Sequence, residues 1–191
     1  STKGSAHSEL TEKVVEAAGR IRRLEVQGAT NVALAAVNAI VEQMMVSESR
    51  GRGSALEEIV EAKRILFGAR ETEPFMRNAV RYVEWRVREA EWETIDELHD
   101  LIELVSDDLL NIFKKARGTI AEIGSKRISS GYRILTHCHS SAVNAVFKLA
   151  REQGTDFEVI VTETRPFYQG RITAMDILDA GIRAVSYTHL T

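Results

Sequence analysis

Cysteine is almost missing from this chain: the 191 residues hold one, Cys138. That excludes an internal disulfide framework and fits a reducing compartment, so any importance of Cys138 rests on its thiol chemistry or its packing. Massed charge of one sign is missing too. The net charge is −3, with Lys and Arg scattered along the chain, which argues against a strong phosphate-backbone binder, and no direct nucleic-acid partner is expected. No apolar run is long enough to span a bilayer, and the polar start STKGSAHSE is unlike a signal peptide. No membrane partner is expected, and the cytoplasm is the expected location. Low-complexity segments and internal repeats are also missing.

What is present, 44% hydrophobic and 28% charged residues, is the composition of a globular chain with enough core for one domain or two small ones. Up to about residue 122 the apolar residues recur at spacings of three and four, the period of helices. Leu10, Val14, Val15, Ala18, Ile21 and Leu24 form one stripe. Val32, Ala35, Ala36, Ala39, Ile40 and Met44 form a second, which the polar segment SESRGRGS interrupts. Ser54 with Glu57 and Thr94 with Glu97 read as capping boxes that open helices. Further helices are predicted over 74–91 and 95–121. Residues 1–122 thus read as an N-terminal helical bundle.

After the Gly- and Ser-rich GSKRISSG the pattern changes to short apolar runs alternating with helices, the sign of a parallel α/β sheet. Strands are predicted over 132–136 and 158–162, and helices over 142–152 and 174–180, stopped by Gly154 and Gly181. A third strand is expected to begin near Arg183. Residues 123–191 therefore read as the first part of a Rossmann-like domain, expected to be truncated, because so few strands leave an apolar sheet edge uncovered.

Ligands of such sheets sit beyond the carboxyl ends of the strands, where helix N-termini point their free amides. Both predicted strand ends change to reactive residues: Thr136, His137, Cys138, His139 and Ser140 at the first, Thr162, Glu163, Thr164 and Arg165 at the second. Cys138 falls just before a helix capped by Ser140 or Ser141, where the dipole and a nearby Arg165 favour a thiolate able to act as base or nucleophile. A lone cysteine in an apolar sequence is more often packed than reactive; its position shifts the weight to function. His137 and His139 flank it, but adjacent strand residues face opposite sides and no second ligand cluster follows, so no metal is expected. Glu163 and Arg165 either pair with each other or meet a ligand. Asp176 and Asp179 read as solvated.

ILTHCHS at 134–140 and TETRPFYQGRITA at 162–174 resemble the superfamily of the initiation factor 2B alpha, beta and delta subunits and the sugar-phosphate aldose-ketose isomerases. EVQGATNVALAA and GARETEPFMRNAVRYV extend the likeness into the helical half. Within the superfamily, His139 after the cysteine is most similar to archaeal-type ribose-1,5-bisphosphate isomerases; methylthioribose-1-phosphate isomerases usually carry Asn there. The resemblance implies a helical domain followed by a Rossmann-like one, a site in the crevice between them, and homo-oligomers formed through the second domain. It implies conversion of ribose 1,5-bisphosphate to ribulose 1,5-bisphosphate in nucleotide salvage, without metal or organic cofactor, with Cys138 catalytic.

The family's phosphate-binding Arg-Gly-Ala loop falls on Gln27, Gly28 and Ala29, which keeps the backbone amides and loses the guanidinium. A second family arginine falls on Arg70, followed by Glu71 where the family has proline, and a family glutamine falls on Gln169. Ser140, Glu163 and Arg165 complete the expected substrate contacts. The alternative the resemblance allows is a non-catalytic regulatory subunit that binds a sugar phosphate or nucleotide and contacts a translation factor. The family's acid, an aspartate on a later strand, matches no residue of this chain. AVSYTHLT departs from the buried apolar strand of the family, so a cut-short, inactive fragment is expected.

Overall fold

The computed structural model describes residues 12–49, 51–165 and 167–187. Helices α1 (Glu12–Arg22), α2 (Ala29–Met45), α3 (Arg52–Ala69), α4 (Pro74–Glu89) and α5 (Ile95–Ser125) come first. They are followed by β1 (Arg133–His137), α6 (Ser141–Glu152), β2 (Glu158–Thr162), α7 (Gln169–Asp179) and β3 (Arg183–Tyr187). The chain forms two compact units, 1–112 and 113–191, and α5 passes from one to the other. The fold is α/β, helices first and a parallel sheet after.

In the first unit, α2 packs on α1 and α4, and α3 on α1 and α4. Val14, Ala18 and Ile21 of α1 are buried, as are Val32, Ala36, Ala39, Ile40 and Met44 of α2. Val15 is 52% exposed, one position off the buried stripe, and Leu24 stands outside the helix in a left-handed turn, φ 60°. Leu10 lies outside the described residues. Among these apolar side chains sits one buried carboxylate, Glu58. It accepts hydrogen bonds from Gln43 Nε2 at 3.0 Å, Ser47 Oγ and Ser49 Oγ. These donors offset the cost of removing a charge from water, and they fasten the segment after α2 onto α3.

The two expected capping boxes part ways. Thr94 and Glu97 form one: Thr94 Oγ1 accepts the Glu97 N–H at 3.2 Å, and Glu97 Oε2 accepts the N–H groups of Thr94 and Glu93. Those backbone donors hold the Glu97 carboxyl below its ordinary value. Ser54 and Glu57 do not. Helix α3 begins at Arg52, two residues earlier, so Ser54 lies in the first turn and donates to Gly51 O at 3.0 Å. Arg52 favours that start by donating to the carbonyls of Arg88 and Ala90 beyond the next hairpin.

In the second unit the strands are all parallel, in the order β1-β2-β3. Helices α6 and α7 pack on one face of the sheet, as the usual right-handed crossover requires for this strand order. There Phe147 and Ala150 of α6 and Ala174 and Ile177 of α7 pack with Phe157, Val159 and Val161. The opposite face carries the in-register row Leu135, Ile160 and Val185, of which Leu135 is 65% exposed. The strands thus show an alternating pattern with one covered side. Helix α7 starts at Gln169, five residues before its predicted start, because its first turn is held by Glu163, a contact across a turn that local pattern does not reveal.

Candidate functional site

The register places His137, Thr162 and Tyr187 side by side at the carboxyl ends of the three strands. Cys138 follows the first and Glu163 the second. The backbone at Cys138 is left-handed, φ 65°, a conformation that costs an L-residue about 1 kcal/mol and persists only where its surroundings enforce it. Three contacts do so. Cys138 N–H donates to Thr162 O at 3.4 Å, Thr173 Oγ1 donates to Cys138 O at 2.9 Å, and Cys138 Sγ donates to Gln169 Oε1 at 2.7 Å. Immediately afterwards Ser140 caps α6, its Oγ accepting the Val143 N–H at 3.4 Å. The half-buried thiol therefore stands two residues before a helix N-terminus, where the dipole favours negative charge.

The flanking histidines are fixed through their Nδ1 atoms. His139 Nδ1 lies 3.0 Å from Thr173 Oγ1. The single hydroxyl hydrogen of Thr173 points to Cys138 O, so the histidine must donate: Nδ1 carries hydrogen and Nε2 of the neutral ring is left as the basic atom. His137 Nδ1 lies 2.6 Å from Thr162 Oγ1, and that hydroxyl in turn faces Thr136 O at 3.4 Å, which implies the same tautomer.

Glu163 pairs not with Arg165 but with Arg171, Oε2 to Nε at 3.5 Å, while Oε1 accepts from Gly170 and Thr164. Arg165 is exposed. The structure thus gathers Cys138, Ser140, Glu163 and Gln169 around the strand ends. It adds Thr173 and Gly170, which the sequence reading passed over. Gln169 and Thr173 are four apart, and that spacing becomes informative only once α7 is known to begin at 169. Asp176 is likewise engaged and not simply solvated, since it accepts from Asn144 Nδ2 at 2.9 Å, joining α7 to α6.

The remaining expected residues belong to the first unit. Gly28 has φ 85° and leads into α2 with no side-chain cap; the Gln27 carbonyl accepts from Asn31 Nδ2 at 3.1 Å. Ala29 is exposed at the first position of α2. Arg70 ends α3, and its guanidinium faces Glu73 at 3.7 Å. A cleft of about 360 Å³ beside this loop, between α1 and α2, is lined by Lys13, Arg20, Val26, Asn31, Asn38 and Glu42, among others.

The thiol stands at the carboxyl edge of a parallel sheet, next to a helix N-terminus, the place where α/β folds in general hold anionic ligands. The sequence profile of the Initiation factor 2 subunit family matches residues 25–188, and the chain belongs to that family. It is 38% identical over 178 residues to a ribose 1,5-bisphosphate isomerase of Pyrococcus furiosus, covering 92% of this chain and 55% of the relative. It is 28% identical over 173 residues to a putative translation initiation factor eIF-2B subunit 2-like protein of the same organism, covering 91% and 58%. The solved translation initiation factor eIF-2B of Pyrococcus horikoshii superposes with a TM-score of 0.78 at 23% identity, covering 93% and 60%. The chain thus spans little more than half the length of the curated relatives it matches.

Proposed function

We propose that the protein is an aldose-ketose isomerase that converts ribose 1,5-bisphosphate to ribulose 1,5-bisphosphate, with Cys138 as the group that removes the C2 proton. The observation that carries this reading is the enforced left-handed Cys138 at the sheet end, contacted from α7 on both its sulfur and its carbonyl. The 38% identity to an isomerase over nearly the whole chain supports it.

The reaction needs an acid and a base. The ring opens when O4 takes a proton as the C1–O4 bond breaks, with the phosphate staying on C1. Loss of the C2 proton to the Cys138 thiolate then gives an enol. The C2 hydroxyl gives up its proton as the ketone forms, and C1 receives one. Phosphates are dianionic, and the helix amides after Gly28 and at Ser140, with Arg70 and Arg165, are the donors available to them. Gln27, Ala29 and Gln169 complete the contacts in this reading. The acid is assigned to no described residue. Neither metal nor organic cofactor is required by these steps. The protein acts in the cytoplasm as a homo-oligomer joined through its second unit.

A second reading has an observation of its own. Gln27 stands where the isomerases place arginine, and a regulatory subunit that binds a sugar phosphate or nucleotide without turning it over has no need of that guanidinium. Incubation of the protein with ribose 1,5-bisphosphate, followed by phosphorus and carbon NMR, separates the two. The isomerase reading expects ketose signals to grow with time. Saturable binding without ketose is the result that favours the regulator.

A further inference from the structure

Glu163 follows β2 and carries a carboxylate that is only 2% exposed. A charge is held at that depth only among donors. Oε1 accepts the N–H groups of Thr164 at 2.9 Å and Gly170 at 2.8 Å, and Oε2 faces Arg171 Nε at 3.5 Å. Thr164 is its neighbour, but Gly170 and Arg171 are the second and third residues of α7. The carboxylate therefore binds the first turn of that helix, where free amides and the dipole favour negative charge. The residue in the capping position cannot do this, because Tyr168 is left-handed, φ 51°, with no side-chain cap bond. Gly170 is fitted to the arrangement. A Cβ there would lie 2.7 Å from Thr162 O and 2.9 Å from Glu163 Oε1.

The same turn of α7 holds Cys138. Gln169 and Thr173, one helical turn apart on a common face, contact its sulfur at 2.7 Å and its carbonyl at 2.9 Å. We propose that Glu163 is a positioning residue for Cys138: by fastening Gly170 it fixes the turn from which Gln169 and Thr173 set where the thiol stands and where its proton goes. Glu163 thus acts on Cys138 through α7. The proposal rests on the reading of Cys138 as the reactive group.

Because Cys138 is the only thiol of the chain, alkylation by iodoacetamide, counted by mass, reports on it alone. In Glu163→Gln the amide oxygen still accepts from Gly170, and the rate and its pH profile are expected to stay within about twofold of the unaltered protein. Glu163→Asp keeps the charge but is one methylene too short to reach Gly170 while holding Thr164. Glu163→Met keeps the bulk and loses both acceptors. In these two, alkylation near neutral pH is expected to quicken by about threefold or more, with the profile displaced to lower pH, because the sulfur loses the carbonyl that accepts its hydrogen.

Loss of thermal stability with the profile left in place is what a merely structural carboxylate gives, and it overturns the proposal. So does a Glu163→Gln profile displaced as far as that of Glu163→Asp. If Glu163→Met does not fold, the Asp and Gln pair carries the comparison. No turnover enters the measurement, so the positioning role and the isomerase reading stand or fall separately.

Discussion

Thr173 has no reactivity of its own, yet its hydroxyl fixes both the Cys138 backbone and the His139 tautomer. Thr173→Val keeps the shape and removes the hydroxyl, leaving the Cys138 carbonyl and His139 Nδ1 without this partner. A loss of about 1–2 kcal/mol is expected in urea unfolding. Alongside it, ring-nitrogen NMR shifts of His139 are expected to show both tautomers where the unaltered protein shows one. At this scale the sequence was informative wherever a local pattern placed a residue. Cys138 and Ser140 stood out because an apolar run ends there and a serine precedes a helix. Thr173 and Gly170 did not, since the partners of Thr173 are 34 and 35 residues away and Gly170's role depends on a carboxylate folded back across a turn.

Helix ends carry the lesson at the scale of elements. The reciprocal bonds between Thr94 and Glu97 exist, whereas Ser54 sits inside its helix. Thr94→Ala is therefore expected to cost about 1 kcal/mol in thermal or urea unfolding, and Ser54→Ala less than about half of that. Equal losses would contradict the assignment of the two helix starts. Strands were read within one residue because their short apolar runs and flanking glycines are local. The start of α7 was missed because its capping group lies outside the helix, in the residue after β2. The Glu58 cluster was not visible either, since Gln43, Ser47 and Ser49 have no common period.

For the whole molecule, acid is expected to weaken the helical unit. Burial pushes the Glu84 carboxyl up, but hydrogen bonds from Lys63 and Arg88 outweigh it, so the group stands below its ordinary value of 4.5. A depressed folded value means that the stabilisation is complete above about pH 4.5 and fades as pH falls through the lower folded value. Glu84→Gln is expected to lower stability at neutral pH and to flatten the acid limb of the stability profile below about pH 4.5. The order of the fold, helices first and parallel sheet after, was readable from the change of hydrophobic period. The packing of α6 and α7 on one face followed from the handedness of crossovers once the strand order was known.

The central claim is that Cys138 does chemistry on a sugar phosphate. The most direct measurement compares the protein with Cys138→Ala for both turnover and binding of ribose 1,5-bisphosphate. The account predicts a fall in kcat of about a thousandfold or more, with Kd changed by less than about threefold, because the substitution leaves the proposed phosphate donors in place. Turnover undiminished in Cys138→Ala would contradict it.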